Sequence, residues 1–367
     1  MQLSFAHGDV PDAAQWGDWR WQVAHAVRNV HQVEELLGLR SGSLAYLSSA
    51  AARYPLFATP YYLSLAKSAD LSDPVLRQCL PDNAELTEQA GGEPDALAEE
   101  ACSPVPRLVH RYPDRVLYVT GNFCAVRCRH CLRKRDWERQ VAPPSEEELA
   151  LAADYLRKHT EVREVLISGG DPLMLPEESL RQIVAAFSAV PSIEMLRFGS
   201  RVPVVLPQRV TPQLAQILAG GKPAWLATHF NHPQELTAEA AAAADTLLRH
   251  GVGLVNQSVL LKGVNDSADC LGRLFTGLLR MHIKPYYLFH GDPITGAMHF
   301  RTGIKAGLAL MDQLRGKISG MALPAFAFDL PGGAGKIRLQ PEHILRCEAD
   351  GTPVFMSYDG RETAYPN

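Results

Sequence analysis

Three cysteines stand close together in one short stretch, residues 121–133. Cys124, Cys128 and Cys131 have the spacing C-x3-C-x2-C, and an apolar run at residues 116–120 comes directly before them. Three thiolates at such a spacing can hold a metal ion or an iron–sulfur cluster. Because a four-iron cluster has four corners, three sulfurs leave one iron open to a small-molecule chelate.

A zinc site and three unligated core cysteines are the alternatives for this stretch. Structural zinc takes four ligands, and His130 is a candidate for the fourth, but its direct adjacency to Cys131 makes simultaneous ligation awkward. The predicted strand before the loop favours an iron–sulfur cluster. The loop also resembles the signature of the radical S-adenosylmethionine (SAM) enzymes, including the ring of His130 before the last cysteine. In that family, the amino and carboxylate groups of SAM bind the open iron.

The second stretch that could take part in chemistry is a glycine-rich turn that ends in a lysine. Residues 329–336 read Asp-Leu-Pro-Gly-Gly-Ala-Gly-Lys. They do not form a Walker A motif, because Leu330 stands where that motif needs glycine and Ile337 stands where it needs serine or threonine. A lysine on a bare glycine turn can form a Schiff base with pyridoxal phosphate (PLP), since glycine lets the backbone approach the cofactor closely. Taken alone, such a segment is more often only a turn.

Length and composition indicate an ordinary globular protein. The chain has 367 residues, 46% of them hydrophobic and 21% charged, which is enough for one large α/β domain and an accessory one. The net charge of −4 gives no general attraction to nucleic acid or to an anionic membrane. Seven cysteines, three of them clustered, fit a metal site in a reducing cytoplasm better than a set of disulfides. We expect neither a signal peptide nor a membrane span, because the chain lacks the apolar runs that both require.

The chain has two parts that differ in their hydrophobic pattern. Residues 1–110 predict a helical N-terminal region, with apolar residues at helical spacing over 12–39 and frequent prolines after it. We expect these helices to pack on the main domain and to shape its mouth, and a separate binding module is the alternative. From Arg115 onward, short apolar runs alternate with helical patterns.

Six strand–helix units in a row predict a parallel sheet with right-handed crossovers. Six is fewer than the eight units of a complete barrel, so the predicted fold class is α/β, with a partial (open) parallel β/α barrel of radical SAM type and a helical N-terminal extension. The predicted domains are residues 1–110, the barrel over 111–325, and a C-terminal segment over 326–367 that carries Lys336. The predicted strands are 116–120, 165–168, 196–200, 225–230, 254–261 and 286–290, and the predicted helices are 145–159, 177–189, 211–219, 236–250, 268–282 and 304–314. Polar residues gather where these strands end, at 168–171, 201, 229–231, 256–257 and 290–292.

Taken together, the cysteine loop and the lysine turn resemble those of the lysine 2,3-aminomutases, which are radical SAM enzymes that also carry PLP. The likeness runs from about residue 19 to about residue 358, so it covers nearly the whole chain. It implies an isomerase that moves the α-amino group of L-lysine from C2 to C3 and gives β-lysine. The segments that carry it are 110–115 (HRYPDR), 124–133, 168–171 (SGGD), 256–261 (NQSVLL), 284–287 (KPYY), 299–302 (HFRT) and 329–336.

The resemblance also implies which residues bind the cofactors. The three cysteines match the ligands of a 4Fe–4S cluster, and Lys336 matches the PLP lysine. Arg111 and Arg115 match basic residues near the PLP phosphate, which suits the shape of the guanidinium group, although surface salt bridges are the alternative. The other residues implied to bind a cofactor are Ser168, Gly169, Gly170 and Asp171, which match the segment at the SAM amino group, together with Asn256 and Gln257.

Three residues are implied to bind the substrate. Arg133 matches the arginine that pairs with the α-carboxylate, and Asp292 and Asp329 match two carboxylates that hold the distal ammonium of lysine. Two carboxylates at this position would attract an ammonium and repel the side-chain carboxylate of glutamate. Arginine is an alternative substrate, because a guanidinium also accepts two carboxylates. Without the resemblance, a helix cap or a loop would account for each aspartate. A reductant such as flavodoxin or ferredoxin is the implied protein partner.

The chain departs from the longer family members in one respect. They carry a structural zinc site built from a cysteine after an Asn-Asp pair and from a C-terminal cysteine cluster. Here Ser267 follows that pair, and Cys347 is the only cysteine after Lys336. We therefore expect no structural zinc, and the oligomeric state stays open, with a homo-oligomer as one outcome.

Other functions are compatible with parts of the sequence. A shorter family branch acts on lysine destined for elongation factor P and resembles this chain in length and in residues 169–174 and 296–297, but neither Asp329 nor so glycine-rich a turn is expected there. A radical SAM enzyme without PLP is a second alternative. A basic, metal-containing RNA-binding protein is a third, since a run of cations lies beside the cysteines: Arg127, Arg129, Arg133, Lys134, Arg135 and Arg139. The simpler interpretation is that these cations offset the negative cluster and bind anionic parts of SAM and the substrate.

Overall fold

One mixed β-sheet forms the frame of the molecule. The computed structural model describes residues 3, 10–87, 90–138, 141–340, 343–349, 352–357 and 359–365. Nine strands lie side by side in chain order: β1 (Leu108–Tyr112), β2 (Arg115–Val119), β3 (Glu164–Ser168), β4 (Met195–Gly199), β5 (Ala224–Thr228), β6 (Gly253–Leu260), β7 (Lys284–His290), β8 (Ala325–Leu330) and β9 (Gly335–Leu339). Strands β2 to β8 are parallel, whereas β1 and β9 pair antiparallel at the two edges. Since no described pairing joins β1 to β9, the sheet is open.

The predicted fold class is confirmed, but the number of strands is not. The parallel part has seven strands rather than six, because β8 continues the sheet beyond β7. The two antiparallel edge strands are also absent from the sequence prediction. Both carry charged residues and neither is followed by a helix, so the strand–helix repeat does not include them. The predicted boundary at residues 325 and 326 falls inside β8.

Helices connect the strands and pack against the sheet. Those of the first part of the chain are short: α1 (Ala13–Gly17), α2 (Trp19–Ala24), α3 (Val30–Leu37), α4 (Ser48–Arg53), α5 (Pro60–Ser64), α6 (Pro74–Cys79) and α7 (Ala84–Thr87). The later ones are α8 (Glu146–Lys158), α9 (Glu177–Ser188), α10 (Val202–Val205), α11 (Pro212–Ala219), α12 (Ala238–Arg249), α13 (Ala268–Arg280) and α14 (Ile304–Leu314). Helix α8 begins at a capping box, in which Ser145 and Glu148 exchange side-chain and backbone hydrogen bonds.

The helical pattern over residues 12–39 resolves into three separate helices. Asp12, Asp18 and Asn29 each accept a backbone N–H at the start of a new helix. Short polar side chains of this kind favour helix starts over helix interiors, so each one restarts the chain. Trp19 and Val23 of α2 pack against the same apolar cluster as Val33 and Leu37 of α3, so the apolar spacing reflects shared packing rather than one continuous helix.

The N-terminal helices pack on the barrel. The Thr59 hydroxyl donates to the Val205 carbonyl at 2.9 Å, and the Tyr62 hydroxyl donates to Glu235 Oε1 at 2.8 Å. Tyr62 and its neighbour Leu63 are fully buried in the same apolar cluster as the strands. The N-terminal part therefore closes one side of the barrel.

Alternating burial separates the two faces of the first three parallel strands. In β2, β3 and β4 every second residue is buried in the core, and the residues between them are only half-buried. Val165 and Ile167 belong to the buried set in β3, whereas Leu166 and Ser168 line a cavity on the other face. Because side chains alternate along a strand, the helices cover one face and the other face is left for a site.

The cysteine loop is anchored to the N-terminal helices by a buried cluster of charges. Glu85, which lies in α7, accepts hydrogen bonds from Arg129 at 2.8 and 2.5 Å and from Lys134 at 2.7 Å. All three side chains are fully buried. The loop is also held through its backbone, where the Arg127 N–H donates to the Phe57 carbonyl at 2.8 Å.

The last part of the chain forms a small antiparallel sheet of three strands, β10 (Ile344–Cys347), β11 (Pro353–Met356) and β12 (Glu362–Ala364). Arg315 donates to the Met356 carbonyl at 3.2 Å and ties this sheet to the end of α14. Within the described ranges, no helix is long and apolar enough to cross a membrane.

We expect Glu85→Ala to destabilise the protein strongly. The change leaves Arg129 and Lys134 buried without their carboxylate, and removing one partner of a buried ion pair costs about 3–5 kcal/mol. A thermal unfolding scan should show a clearly lower Tm. Glu100→Ala, at an exposed glutamate, is the control and should leave Tm unchanged. Equal Tm values for the two variants would contradict the role assigned to Glu85.

Candidate active site

A cavity of about 610 Å³ lies on the face of the sheet that the helices leave uncovered. Except for Asn256, it gathers every residue that the family resemblance assigns to a cofactor or the substrate: Cys124, Cys128, Cys131, Arg111, Arg115, Arg133, Ser168, Gly169, Gly170, Asp171, Gln257, Asp292, Asp329 and Lys336. A wider groove of about 870 Å³ between α12, α13 and α14 contains none of them. The smaller cavity is therefore the candidate active site.

The three cysteines line one wall of this cavity. Burial raises the pKa of the Cys131 thiol, and burial with the nearby charge of Asp171 raises that of Cys124 well above its usual value. Buried thiols become thiolates when a metal supplies the positive charge. Among the described residues, no three His, Cys, Asp or Glu side chains are arranged around a single metal ion. A four-iron cluster does not need that arrangement, since each of its corner irons binds only one cysteine.

Arg201 joins the cysteines to the N-terminal helices. It follows β4, is buried, and donates from Nη1 to the Cys128 sulfur at 2.9 Å. Its Nη2 donates to Glu235 at 2.7 Å and to the Tyr62 hydroxyl at 2.9 Å. Hydrogen bonds to the sulfur ligands of an iron–sulfur cluster tune its reduction potential. The sequence placed Arg201 among the polar residues at strand ends but assigned it no role.

Two histidines in the cavity are neutral. Burial and the charge of Arg201 lower the pKa of His130 well below its usual value, and they lower that of His229 to about 4. His130 Nε2 lies 3.5 Å from Asn231 Nδ2, and its Nδ1 has no partner among the described atoms. His130 thus presents an unpaired ring nitrogen beside the cysteines rather than a second cation.

The segment after β3 packs directly on the cysteine loop. Gly169 has φ +121°, and a Cβ on Gly170 would lie 2.6 Å from the carbonyl oxygen of Phe123. The Asp171 N–H donates to that same carbonyl at 2.9 Å. Only glycine allows this approach, so the segment and the loop hold each other in place.

Asp171 orients the neighbouring loop instead of projecting freely into the cavity. Its carboxylate accepts the Ser200 hydroxyl at 2.7 Å and the Arg201 and Val202 N–H groups at 2.8 and 3.1 Å. Burial raises its pKa, although these hydrogen bonds work against the shift. Asp171 therefore helps to fix the position of Arg201.

Asn256 and Gln257 lie on opposite faces of β6. Gln257 lines the cavity. Asn256 is fully buried on the other face, where it bonds to the Phe230 N–H at 2.7 Å, the Phe230 carbonyl at 3.1 Å and the Ser258 hydroxyl at 2.8 Å. The structure thus brings Gln257 to the site and leaves Asn256 outside it, in a role that holds the neighbouring loop.

The lysine of the glycine-rich turn faces an aspartate across a hairpin. Strands β8 and β9 pair with Asp329 opposite Lys336, and Lys336 Nζ lies 2.6 Å from Asp329 Oδ2. The ammonium also sits 4.0 Å from the centre of the Phe289 ring. Burial lowers the pKa of Lys336, while the charge of Asp329 opposes that shift. A lysine with a lowered pKa is easier to deprotonate, which suits a Schiff-base lysine.

Unpaired buried donors near Lys336 fit an anionic group. Arg111 donates to the Leu97 carbonyl, and its Nη1 lies 3.9 Å from Asp329 Oδ1. Its Nε and the hydroxyl of Tyr112 are buried without partners among the described residues. Buried polar groups normally have partners, and guanidinium groups bind phosphate well.

The side chain of Arg115 is more exposed to solvent than that of Arg111. It pairs with Asp114 at 2.7 Å, stacks 3.8 Å from the centre of the Tyr112 ring, and is about one third exposed. The salt-bridge alternative therefore describes its contacts in this structure, although it still lines the cavity.

The proposed substrate contacts lie in the same cavity. Arg133 lines it close to Cys131 and bonds to Glu99. Burial and the neighbouring charge of Asp329 raise the pKa of Asp292 to about 7. The cavity thus has an arginine in its wall and two mutually repelling carboxylates near Lys336.

The basic run beside the cysteines is not an open cationic surface. Arg129 and Lys134 are fully buried against Glu85, whereas Arg133 and Arg135 bond to Glu99. Arg127 stacks on Trp137, and Arg139 lies outside the described residues. The described cations are thus engaged within the protein, which does not favour RNA binding.

Comparison with known proteins agrees with this geometry. The chain matches a model of the radical SAM superfamily over residues 118–269 and a lysine-2,3-aminomutase model over residues 311–367. A protein of Aquifex aeolicus (strain VF5) is 45% identical over 95% of this chain and 95% of its own length. The L-lysine 2,3-aminomutase of Clostridium subterminale is 40% identical over 97% of this chain and 85% of its own. The chain belongs to the lysine 2,3-aminomutase family of radical SAM proteins.

Membership of the lysine 2,3-aminomutase family implies the cofactors. Radical SAM proteins use a 4Fe–4S cluster and SAM, and lysine 2,3-aminomutases are PLP-dependent isomerases. The family also contains the glutamate 2,3-aminomutase of Clostridioides difficile (strain 630), which is 34% identical over 96% of this chain and 82% of its own. A solved radical SAM methyltransferase from Sphaerobacter thermophilus is more distant, with a TM-score of 0.45 and 17% identity over 60% of this chain and 68% of its own.

Six charged residues that line the cavity were not among the predicted site residues: Glu99, Glu164, Arg197, Arg201, Arg301 and Arg338. Arg197 pairs with Glu164 at 2.5 Å, and Arg338 donates to the Tyr287 hydroxyl at 2.7 Å. Alternation along β4 could have placed Arg197 on the cavity face, but the position of Glu99 depends on tertiary packing.

We expect Gly170→Ala to weaken the binding of SAM and the loading of iron. The added Cβ would lie within 2.7 Å of the backbone of residues 122–123, so the loop that leads into Cys124 must shift. Overpacking of this kind costs about 1–3 kcal/mol, so the dissociation constant for SAM should rise roughly tenfold or more. Iron analysis and SAM titration measure the two effects.

Gly303→Ala is the matched control for this test. A Cβ there meets no atom within 4 Å, so both properties should be unchanged. Normal iron content and normal SAM affinity in Gly170→Ala would show that the close approach of the two loops is not required.

Proposed function

We propose that this protein is an L-lysine 2,3-aminomutase, which moves the α-amino group of L-lysine from C2 to C3 and gives β-lysine. The observation that carries the proposal is the far end of the cavity, where Asp292 and Asp329 lie near Lys336 and share one cavity with the three cysteines. Two carboxylates at that position suit a substrate whose side chain ends in a cation.

The residues that would hold the cofactors follow from the cavity. Cys124, Cys128 and Cys131 would hold the cluster, with the segment 168–171 and Gln257 beside SAM. Lys336 would bind PLP, and Arg111 with Tyr112 would meet its phosphate. When bound, the cluster and SAM supply a radical that takes hydrogen from C3, and PLP carries the migrating nitrogen.

The protein's own contribution is to fix the amino acid between opposite charges. Arg133 would pair with the α-carboxylate, and the two aspartates would receive the distal ammonium. In the structure Lys336 already places an alkylammonium 2.6 Å from Asp329. The distal ammonium of lysine is the same chemical group, so its chemistry fits the position. Holding both ends keeps C2 and C3 in one place, which is how positioning lowers a barrier.

The charge of the side chain distinguishes lysine from glutamate as a substrate. The side-chain carboxylate of glutamate would meet Asp292 and Asp329, and like charges at close range in a buried site repel. L-Arginine is the second substrate to test, because its guanidinium also accepts two carboxylates. Lysine destined for elongation factor P is the third.

We also propose the setting in which the enzyme works. A small reducing protein such as flavodoxin or ferredoxin would reduce the cluster, and the cytoplasm would be the compartment. All seven cysteines are free, which supports a reducing environment. A homo-oligomer is one of the proposed assembly states, and a measurement of the molecular mass in solution tests it.

The proposal is tested by an anaerobic assay of reconstituted protein with L-lysine, SAM, PLP and dithionite, with β-lysine resolved by mass spectrometry. We expect many turnovers per enzyme, and complete loss in Cys128→Ala and Lys336→Ala. The exposed residues Cys347 and Lys305 provide matched controls, and their alanine variants should keep full activity.

One result of this assay would overturn the assignment of lysine. If the protein binds both the cluster and PLP but forms no β-lysine, free lysine is not its substrate. The same reaction mixture would then be tested with L-arginine and with elongation factor P carrying its lysine substituent.

We expect binding at the distal ammonium site to strengthen as pH rises. Asp292 has a pKa raised to about 7, so it is largely neutral below that pH and becomes a carboxylate above it. A ligand cation is attracted only to the charged form. The ligand 6-aminohexanoate, which is lysine without its α-amino group, should therefore inhibit about tenfold more strongly at about pH 8.5 than at about pH 5.5.

The control for this pH profile is Asp292→Asn, which cannot titrate. Its inhibition constant should stay at the weak, low-pH value across the range. A pH dependence that persists unchanged in this variant would assign the titration to another group.

A further inference from the structure

The geometry points to Glu99 as a positioning residue that sets how Arg133 presents its guanidinium to the substrate carboxylate. The inference rests on the proposed role of Arg133. No resemblance or sequence pattern singled out Glu99, and its part in the site comes from its contacts alone.

Glu99 forms two hydrogen bonds with one edge of the Arg133 guanidinium. Arg133 Nε donates to Glu99 Oε2 at 3.0 Å, and Arg133 Nη2 donates to Glu99 Oε1 at 2.6 Å. Two parallel hydrogen bonds between planar groups fix both distance and angle, which a single contact cannot do. The Glu99 side chain is 8% exposed, so little water competes with the pair.

These two hydrogen bonds leave another edge of the Arg133 guanidinium available for a substrate carboxylate. A guanidinium has five N–H groups, and contacts with described residues use three of them: two on Glu99 and one from Nη1 to the Gly169 carbonyl at 3.3 Å. The two that remain are one on Nη1 and one on Nη2. A second carboxylate can bind there while Glu99 stays in place, so Glu99 and the substrate need not compete.

Glu99 is itself held by a second arginine. Arg135 Nη2 donates to Glu99 Oε2 at 3.0 Å, and Asp95 Oδ1 lies 3.4 Å from the same Arg135 nitrogen. Burial would raise the pKa of Glu99, but the charges and hydrogen bonds of Arg133 and Arg135 outweigh it and lower the pKa. Glu99 is thus an ionised carboxylate with a fixed position.

The segment that carries Glu99 also contacts the other half of the site. The Leu97 carbonyl accepts from Arg111, and the Ala96 carbonyl accepts the Gly332 N–H of the lysine turn at 3.3 Å. The short segment 96–99 therefore contacts Arg111 and the turn before Lys336 through its backbone, and Arg133 through the Glu99 side chain.

The test compares two ligands that differ in the carboxylate. L-Lysine has the α-carboxylate that Arg133 would bind, whereas cadaverine keeps both amines and lacks it. Dissociation constants are measured from the pyridoxal absorbance change of protein reconstituted with cluster, PLP and SAM, without a reductant so that no turnover occurs. The variants are Glu99→Gln and, as a matched control at the exposed neighbour, Glu100→Gln.

We expect Glu99→Gln to weaken L-lysine binding by about tenfold, because the amide turns an N–H toward Arg133 and loses one of the two paired hydrogen bonds. Cadaverine binding should change by less than about twofold, since it makes no contact with Arg133. Glu100→Gln should bind both ligands as the unchanged protein does. Glu99→Asp keeps the charge with a shorter reach, so it should weaken lysine binding less, and it replaces Glu99→Gln if that variant does not fold.

Three results would overturn the inference. Equal weakening of both ligands would make Glu99 a general structural residue, and no change in either would remove it from the site. Tighter lysine binding would show that Glu99 blocks Arg133 instead of positioning it. Failure of the proposed function looks different, because the unchanged protein would then bind L-lysine no better than cadaverine.

Discussion

Pairing of buried charges is the constraint on which this site depends. The cavity concentrates three thiols, three aspartates and several arginines in a space that excludes much of the solvent, and an unpaired ion there is costly. Four cations in or beside the cavity have specific partners: Arg129 and Lys134 share Glu85, Arg201 meets Cys128, and Lys336 meets Asp329. Those pairs fix the walls of the site before any ligand enters.

The order of the sheet explains how distant parts of the chain reach one cavity. Strands follow each other in chain order, so the cysteine loop after β2 and the hairpin of β8 and β9 lie toward opposite edges of an open sheet. Curvature of a parallel β/α sheet turns those edges toward each other. The N-terminal segment that contains Glu99 contacts both edges, since Glu99 bonds to Arg133 after the cysteine loop and the Ala96 carbonyl accepts the Gly332 N–H of the hairpin.

The sequence was most informative where chemistry or local structure has a fixed spacing. The three cysteines, the capped start of α8 and the parallel strand–helix repeat were predictable, because each follows from residue types at set intervals. Asn256 lies outside the cavity because β6 continues through it, and its side chain shares a face with Leu254 and Leu260. Strict alternation, applied there, would have separated it from Gln257.

Two pairings in the site, one local and one between distant parts of the chain, were not predictable from one sequence. The pairing of Asp329 with Lys336 depends on the antiparallel register of β8 and β9, and β9 has too many polar residues to be recognised as a strand. Glu99 lies outside any helix or strand, in an acidic stretch without periodic pattern. Only the folded chain brings it to Arg133.

The central claim is that the far end of the cavity selects a cationic side chain. The most direct measurement is a competition in one anaerobic reaction that supplies L-lysine and L-glutamate in equal amounts, with both β-amino acid products quantified by mass. The account predicts that β-lysine accumulates and β-glutamate does not. Accumulation of β-glutamate at a comparable or greater rate would contradict the role given to Asp292 and Asp329.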